Sequence, residues 1–160
     1  MNAFDHSGAY PASAYDNKLN LKPSIGMWLV IVFLLKPYLV MLVSLANRSN
    51  RTELISLVYD HSGVLAMAEL AALPALAVVI AWVKRNSGAS RIIRWIWNNG
   101  RSLLILSTLF NVAILAISTE WRVDEFGFFI VLQMILSAFV LFYLWRSDRV
   151  RDTFNDFPPI

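Results

Sequence analysis

At 160 residues, with 58% hydrophobic and 16% charged side chains and a mean hydropathy of +0.56, the chain is more apolar than a soluble domain, whose apolar share is about 45–50%. That balance disfavours a water-soluble globule, and the absence of cysteine excludes disulfides, thiolate catalysis and cysteine-based metal sites. The net charge of +3 is asymmetric along the chain and reads as membrane topology, with no nucleic-acid partner.

Residues 1–24 are polar and rich in Gly, Ser, Pro and Ala, the composition of a flexible cytoplasmic arm. Its last part, Tyr15-Asp16-Asn17-Lys18-Leu19-Asn20-Leu21-Lys22-Pro23, places a proline where a helix begins and two lysines where an anionic leaflet lies. Four apolar runs follow, at about 25–46, 63–83, 102–118 and 126–145. Each approaches the roughly 17–25 residues that cross a hydrocarbon core of about 30 Å. They predict an all-α polytopic membrane protein: a four-helix transmembrane domain over 25–145 and a cytoplasmic tail over 146–160. Barrel strands need only about 9–11 residues and alternate in polarity, whereas these runs are apolar on every side. The first run ends Ser44-Leu45-Ala46, which resembles a cleavage site, but its length and central lysine favour an uncleaved anchor.

Basic residues set the orientation. Lys18, Lys22, Lys84, Arg85, Arg91, Arg94, Arg101, Arg146, Arg149 and Arg151 fall on one side, against Arg48, Arg51 and Arg122 on the other. Both termini and the middle loop are therefore expected in the cytoplasm. In the first outer loop Thr52 precedes Leu54, Ile55, Leu57 and Val58, the pattern of a short interfacial helix. In the inner loop Ile92, Ile93, Ile96 and Trp97 share one helical face and Arg91, Arg94 and Arg101 the other. With Trp95, these predict a second interfacial helix contacting lipid headgroups or a partner protein. The repeat Phe4-Asp5-His6-Ser7-Gly8 and Tyr59-Asp60-His61-Ser62-Gly63 falls on opposite sides of the bilayer and is ordinary turn chemistry. No metal site and no cofactor are expected.

Within the spans, ionisable groups are costly and are functional candidates by default. Lys36 lies at the midpoint of the first run, Asn111 near that of the third and Gln133 about one turn outward in the fourth. Glu69 lies roughly 6 Å outward of the second run's centre, at about 1.5 Å per residue. Helical side chains lean toward their own N-terminus, so Lys36 and Glu69 lean apart; a direct pair and separate partners, such as Lys36 with Asn111, both stand. Pro37 and Pro74 each remove a helical donor, leaving the carbonyls of Phe33 and Leu70 to find other partners, and both spans are expected to kink. Alanines 68, 71, 72, 75, 77 and 81 give the second span a small-residue stripe for close packing. Phe128, Phe129, Phe139, Phe142, Tyr143 and Trp145 make the fourth span bulky and lipid-facing.

The segment Tyr15-Asp16 to Leu21-Lys22-Pro23, the arginine-bearing outer loop and the run "AELAALPALAV" resemble the YfeZ-like family of small bacterial inner-membrane proteins, which carries a domain-of-unknown-function label. The resemblance implies four spans in a bacterial inner membrane and supplies no activity. The expected role is non-enzymatic, an accessory or assembly component of a membrane complex, acting through the bilayer, a membrane-protein partner or a second copy. The alternative is a small transporter or permease-like subunit using Lys36 and Glu69.

Overall fold

The computed structural model describes residues 10–15, 20–46, 62–118 and 123–158. The helix expected behind Thr52, His61, Asp16 and the first Asp-His-Ser-Gly copy lie outside the described residues. Among those described there are seven α-helices and no strand, with a short 3-10 turn at Ala12–Ala14 and an isolated bridge between Tyr15 and Leu21.

Helix α1, Ile25–Leu34, starts where Ser24 takes extended backbone (φ −69°, ψ 158°) and its hydroxyl accepts the Met27 N–H, satisfying one of the donors every helix start leaves open. It stops at Leu35 (φ −86°, ψ 4°), and α2, Lys36–Ala46, leaves at 61°. The first run is thus two helices, because Pro37 cannot donate to the turn before it and its ring crowds that turn. Helix α3, Ser62–Val83, runs unbroken through Pro74, so the second kink expected from sequence is absent as a helix break. The two prolines differ in outcome, a difference proline chemistry alone does not produce.

Helix α4, Arg91–Asn98, is capped by Ser90, and after a turn at Asn99 the chain enters α5, Gly100–Ser118. Helix α6, Val123–Arg146, is followed at Ser147 by α7, Asp148–Asn155, with a 63° bend between them. Two helices, Gly63–Val83 and Gly100–Ile117, are by themselves long and apolar enough to cross a membrane; each of the bent pairs, α1 with α2 and α6 with α7, counts as a span if taken as one, giving up to four.

The largest helix pair is α3 with α5, and the alanine stripe explains the closeness. Ala68, Ala71, Ala72, Ala75 and Ala81 are all buried, and only Ala77 of the expected set is not fully covered. Small side chains let backbones approach. Met27, Val30, Ile31 and Leu34 of α1, Leu104 of α5, Val140 and Leu144 of α6, and Val150 and Phe154 of α7 close the core. Outward, Ile25, Leu29, Leu70, Ile117, Phe128, Phe139, Phe142 and Trp145 are exposed. Helices apolar on both faces, packed within and bare without, match the composition that crosses a bilayer. Tyr143 leaves the lipid-facing set: it packs on Gly26, and its hydroxyl lies 2.8 Å from that of Ser24.

Candidate functional site

Two groups of polar side chains account for most of the chemistry the fold positions. The first lies in the helices. Gln133 Nε2 donates to Asn111 Oδ1 at 3.1 Å, tying α6 to α5. The Ser107 hydroxyl donates to the Ala71 carbonyl at 2.7 Å, tying α5 to α3, and the Tyr38 hydroxyl donates to the Glu69 carbonyl at 2.9 Å, tying α2 to α3. Thr108 and Ser137 bond back to Leu104 and Gln133 in their own helices, the i−4 back-bonding common for hydroxyls within helices. Asn111 is therefore the partner of Gln133 rather than of Lys36. No ion pair joins Lys36 and Glu69; the Lys36 ammonium lies 4.7 Å from the centre of the Phe33 ring, a cation–π contact one turn back. Glu69 Oε1 and the Ser44 hydroxyl are buried with no hydrogen-bond partner among the described residues.

The second group gathers at one end of the bundle, where the N-terminal arm, the α3–α4 connection and the C-terminal segment meet. Arg85, just past α3, has a side chain only 5% exposed. Its Nη1 donates to the Leu21 carbonyl at 3.2 Å, and its Nη2 reaches the Asp156 carboxylate at 3.3 Å and the Asp156 carbonyl. The Asp156 carboxylate accepts the Leu21 N–H at 2.6 Å. The guanidinium stands 4.7 Å from the centre of the Trp97 ring, whose Nε1 donates to the Thr153 and Asp156 carbonyls, both at 3.2 Å. A planar fork with five donors suits such a junction, as a point-like ammonium would not. Around it, Tyr10 donates to Asp152 at 2.9 Å, and the guanidinium of Arg149 lies 5.5 Å from the centre of the Tyr10 ring. Burial, then the bond to Asp152, holds the Tyr10 phenol above its ordinary pKa.

Several residues expected on a lipid or partner surface are spent inside the molecule. Trp97 is fully buried beneath α7, 5.0 Å from the Phe154 ring, so it is no surface anchor. Arg94 donates to the carbonyls of Ser87 and Pro158 and lies over Phe157. Arg101 donates to the carbonyls of Leu144 and Trp145, closing the C-terminal end of α6. Arg91 and Trp95 remain exposed. The physical reason is that the C-terminal ends of α6 and α7, the tail after α7 and the α3–α4 connection offer these side chains open carbonyls, partners invisible in the local periodicity. Within the Tyr15 to Pro23 segment, Tyr15 is half-buried and bridges to Leu21, Leu21 is buried, Lys22 is exposed and Pro23 half-buried.

Sequence reasoning passed over Asp156, Phe154, Gly100, Tyr38 and the Ser24–Tyr143 contact, and treated Arg85 only as a charge. Gly100 carries the closest approach: a Cβ there would run into Phe154 Cε1, with Cδ1 2.6 Å and Cζ 2.9 Å away. No three His, Cys, Asp or Glu side chains converge on a metal position among the described residues.

Helices long and apolar enough to cross a bilayer, joined at one end by a junction of the arm, the α3–α4 connection and the C-terminal segment, are the features of a membrane-protein fold. The chain belongs to the family described as "Protein of unknown function (DUF2919)", which matches residues 10–156. The match begins at Tyr10 and ends at Asp156, so it takes in the whole junction. No curated protein and no solved structure matches the chain.

Proposed function

We propose that the protein is a four-span component of a bacterial inner membrane, both termini cytoplasmic, that serves a membrane complex as a non-catalytic accessory or assembly subunit of the YfeZ-like kind. The supporting observation is the contrast between interior and exterior. Asn111, Gln133, Ser107 and Tyr38 are used up in holding helices together, while α6 presents Phe139 and Phe142, each 66% exposed, to the outside. A bundle of this size has little room beyond side-chain packing. The basic excess on the arm, the α3–α4 connection and the tail supports the cytoplasmic placement.

Photo-crosslinking side chains placed at positions 139 and 142 test the role in intact membranes. Discrete protein adducts, from a partner or a second copy, are expected; adducts to lipid alone count against it. The transport alternative is favoured by one observation, the unpartnered Glu69 Oε1. A path through Lys36 and Glu69 requires water, so Lys36→Cys and Glu69→Cys would then react with a small hydrophilic thiosulfonate. A closed bundle leaves both protected.

A further inference from the structure

We infer that the cleft between the arm and the first and third helices is a binding site for an anionic phospholipid, with Lys22 on its phosphate; this rests on the bilayer reading above. The cleft, about 320 Å³, is lined by Leu21, Lys22, Pro23, Trp28 and Trp82, at the lower end of the roughly 300–1,000 Å³ of small-molecule sites. Trp28 and Trp82 meet edge to face, ring centres 4.8 Å apart at 87°, and neither indole N–H has a protein acceptor among the described residues. Indole rings with a free N–H are the side chains that settle at headgroup depth. Close in sequence to the lining residues, Ile25 and Leu29 on α1 and Val83 on α3 are 81%, 66% and 70% exposed, so apolar side chains lie bare on the helices that form the cleft.

An acyl chain gains nothing by exchanging hydrocarbon for apolar protein, so selectivity falls to the charged end. The Lys22 ammonium is exposed and makes one long bond, 3.5 Å to the Ser13 carbonyl, leaving donors for a phosphate. Helix α1 begins three residues on, and its N-terminal dipole adds positive potential. Lys22 is also held in place. The Leu21 N–H and carbonyl are taken by Asp156 and Arg85, and the Lys22 N–H by the Ala14 carbonyl at 2.8 Å, which lowers the ordering cost of binding. Aromatic walls, one cation and bare apolar side chains on the same helices suit an amphiphile with an anionic head better than a soluble anion.

Tryptophan quenching by brominated lipids reads the site directly. The full chain is reconstituted in phosphatidylcholine bilayers doped with brominated phosphatidylglycerol or, at equal mole fraction, brominated phosphatidylcholine. The expected preference for the glycerol lipid is about five-fold, the worth of roughly one lysine near an anionic surface at about 1 kcal/mol. It should fall to near unity in Lys22→Gln, persist in Lys22→Arg, and shrink in Trp82→Phe, with helicity unchanged in all three. Equal quenching by the two lipids, or a preference that survives Lys22→Gln, overturns the site. Displacement by millimolar inorganic phosphate at constant ionic strength makes it a soluble-anion site and overturns it likewise. No quenching by either lipid overturns the bilayer reading instead.

Discussion

Gly100 sits where α5 meets α7, with no room for a methyl group beside the Phe154 ring, and that ring is wedged against Trp97. Gly100→Ala must therefore displace α7, and a loss of about 1–3 kcal/mol is expected, as for other overpacked sites, read as a lowered unfolding midpoint in detergent. Gly63, which a Cβ would leave in open space, is the control and should tolerate alanine with little change. Tyr10 gives a pH dependence of definite sign. Its folded pKa is raised above the ordinary value of 10.0, so the unfolded chain gives up the phenolic proton first. The bond to Asp152 stabilises fully below about pH 10 and is lost as pH rises through the folded value. Tyr10→Phe should cost about 0.5–1.5 kcal/mol at neutral pH and flatten the alkaline fall in unfolding midpoint. An unchanged alkaline slope would assign that fall to other groups. Lys36, Glu69, Asn111 and Gln133 were all legible as costly residues from their places within the apolar runs. Which of them meet was not, because pairing depends on the rotation of each helix about its axis, and helices apolar all round give no periodic signal of it.

Among the elements, α1 and α2 show how far a local rule reaches. Pro37 marked the place, and the chain breaks within two residues of it, at Leu35. Pro74 marked another, and α3 continues. The difference lies in what each segment packs against: α3 is flanked along its length by α5, whereas α2 touches α3 through Val40 and Tyr38 and leaves Leu39, Leu42 and Val43 bare. Because the chain has no cysteine, spin labels at Leu29→Cys and Leu45→Cys can follow the bend cleanly. At about 1.5 Å per residue a straight helix puts these positions about 24 Å apart, and a 61° bend about 21 Å. Pro37→Ala should lengthen the distance by about 3 Å if proline holds the bend; no change would assign it to the Tyr38–Glu69 tie. Helix α4 was legible as amphipathic from the spacing of its isoleucines and arginines. On its apolar face Trp97 is covered by Phe154 of α7, 57 residues further along the chain, a distance no local pattern carries, while Ile92 stays 69% exposed.

For the molecule as a whole, the junction of Arg85, Trp97 and Asp156 links three segments far apart in sequence: the arm by Leu21, the α3–α4 connection by Arg85 itself, and the tail by Asp156. A buried guanidinium stripped of its partners is worth about 3–5 kcal/mol of destabilisation, so the fold strongly opposes separating these segments. In the four-span reading proposed above, their meeting is accommodated by two crossings between the arm and the connection and two more between the connection and the tail. The sequence supports the same arrangement by its basic excess, through independent physics, since charge bias acts at insertion and the junction acts in the folded state. Side-selective labelling of single cysteines at the exposed positions Ser13, Ser87 and Asn155 tests this most directly. All three should be protected from an impermeant maleimide in intact cells and react in inverted membrane vesicles. Any one of them reacting from the opposite side to the other two would contradict the junction and the even-span topology built on it.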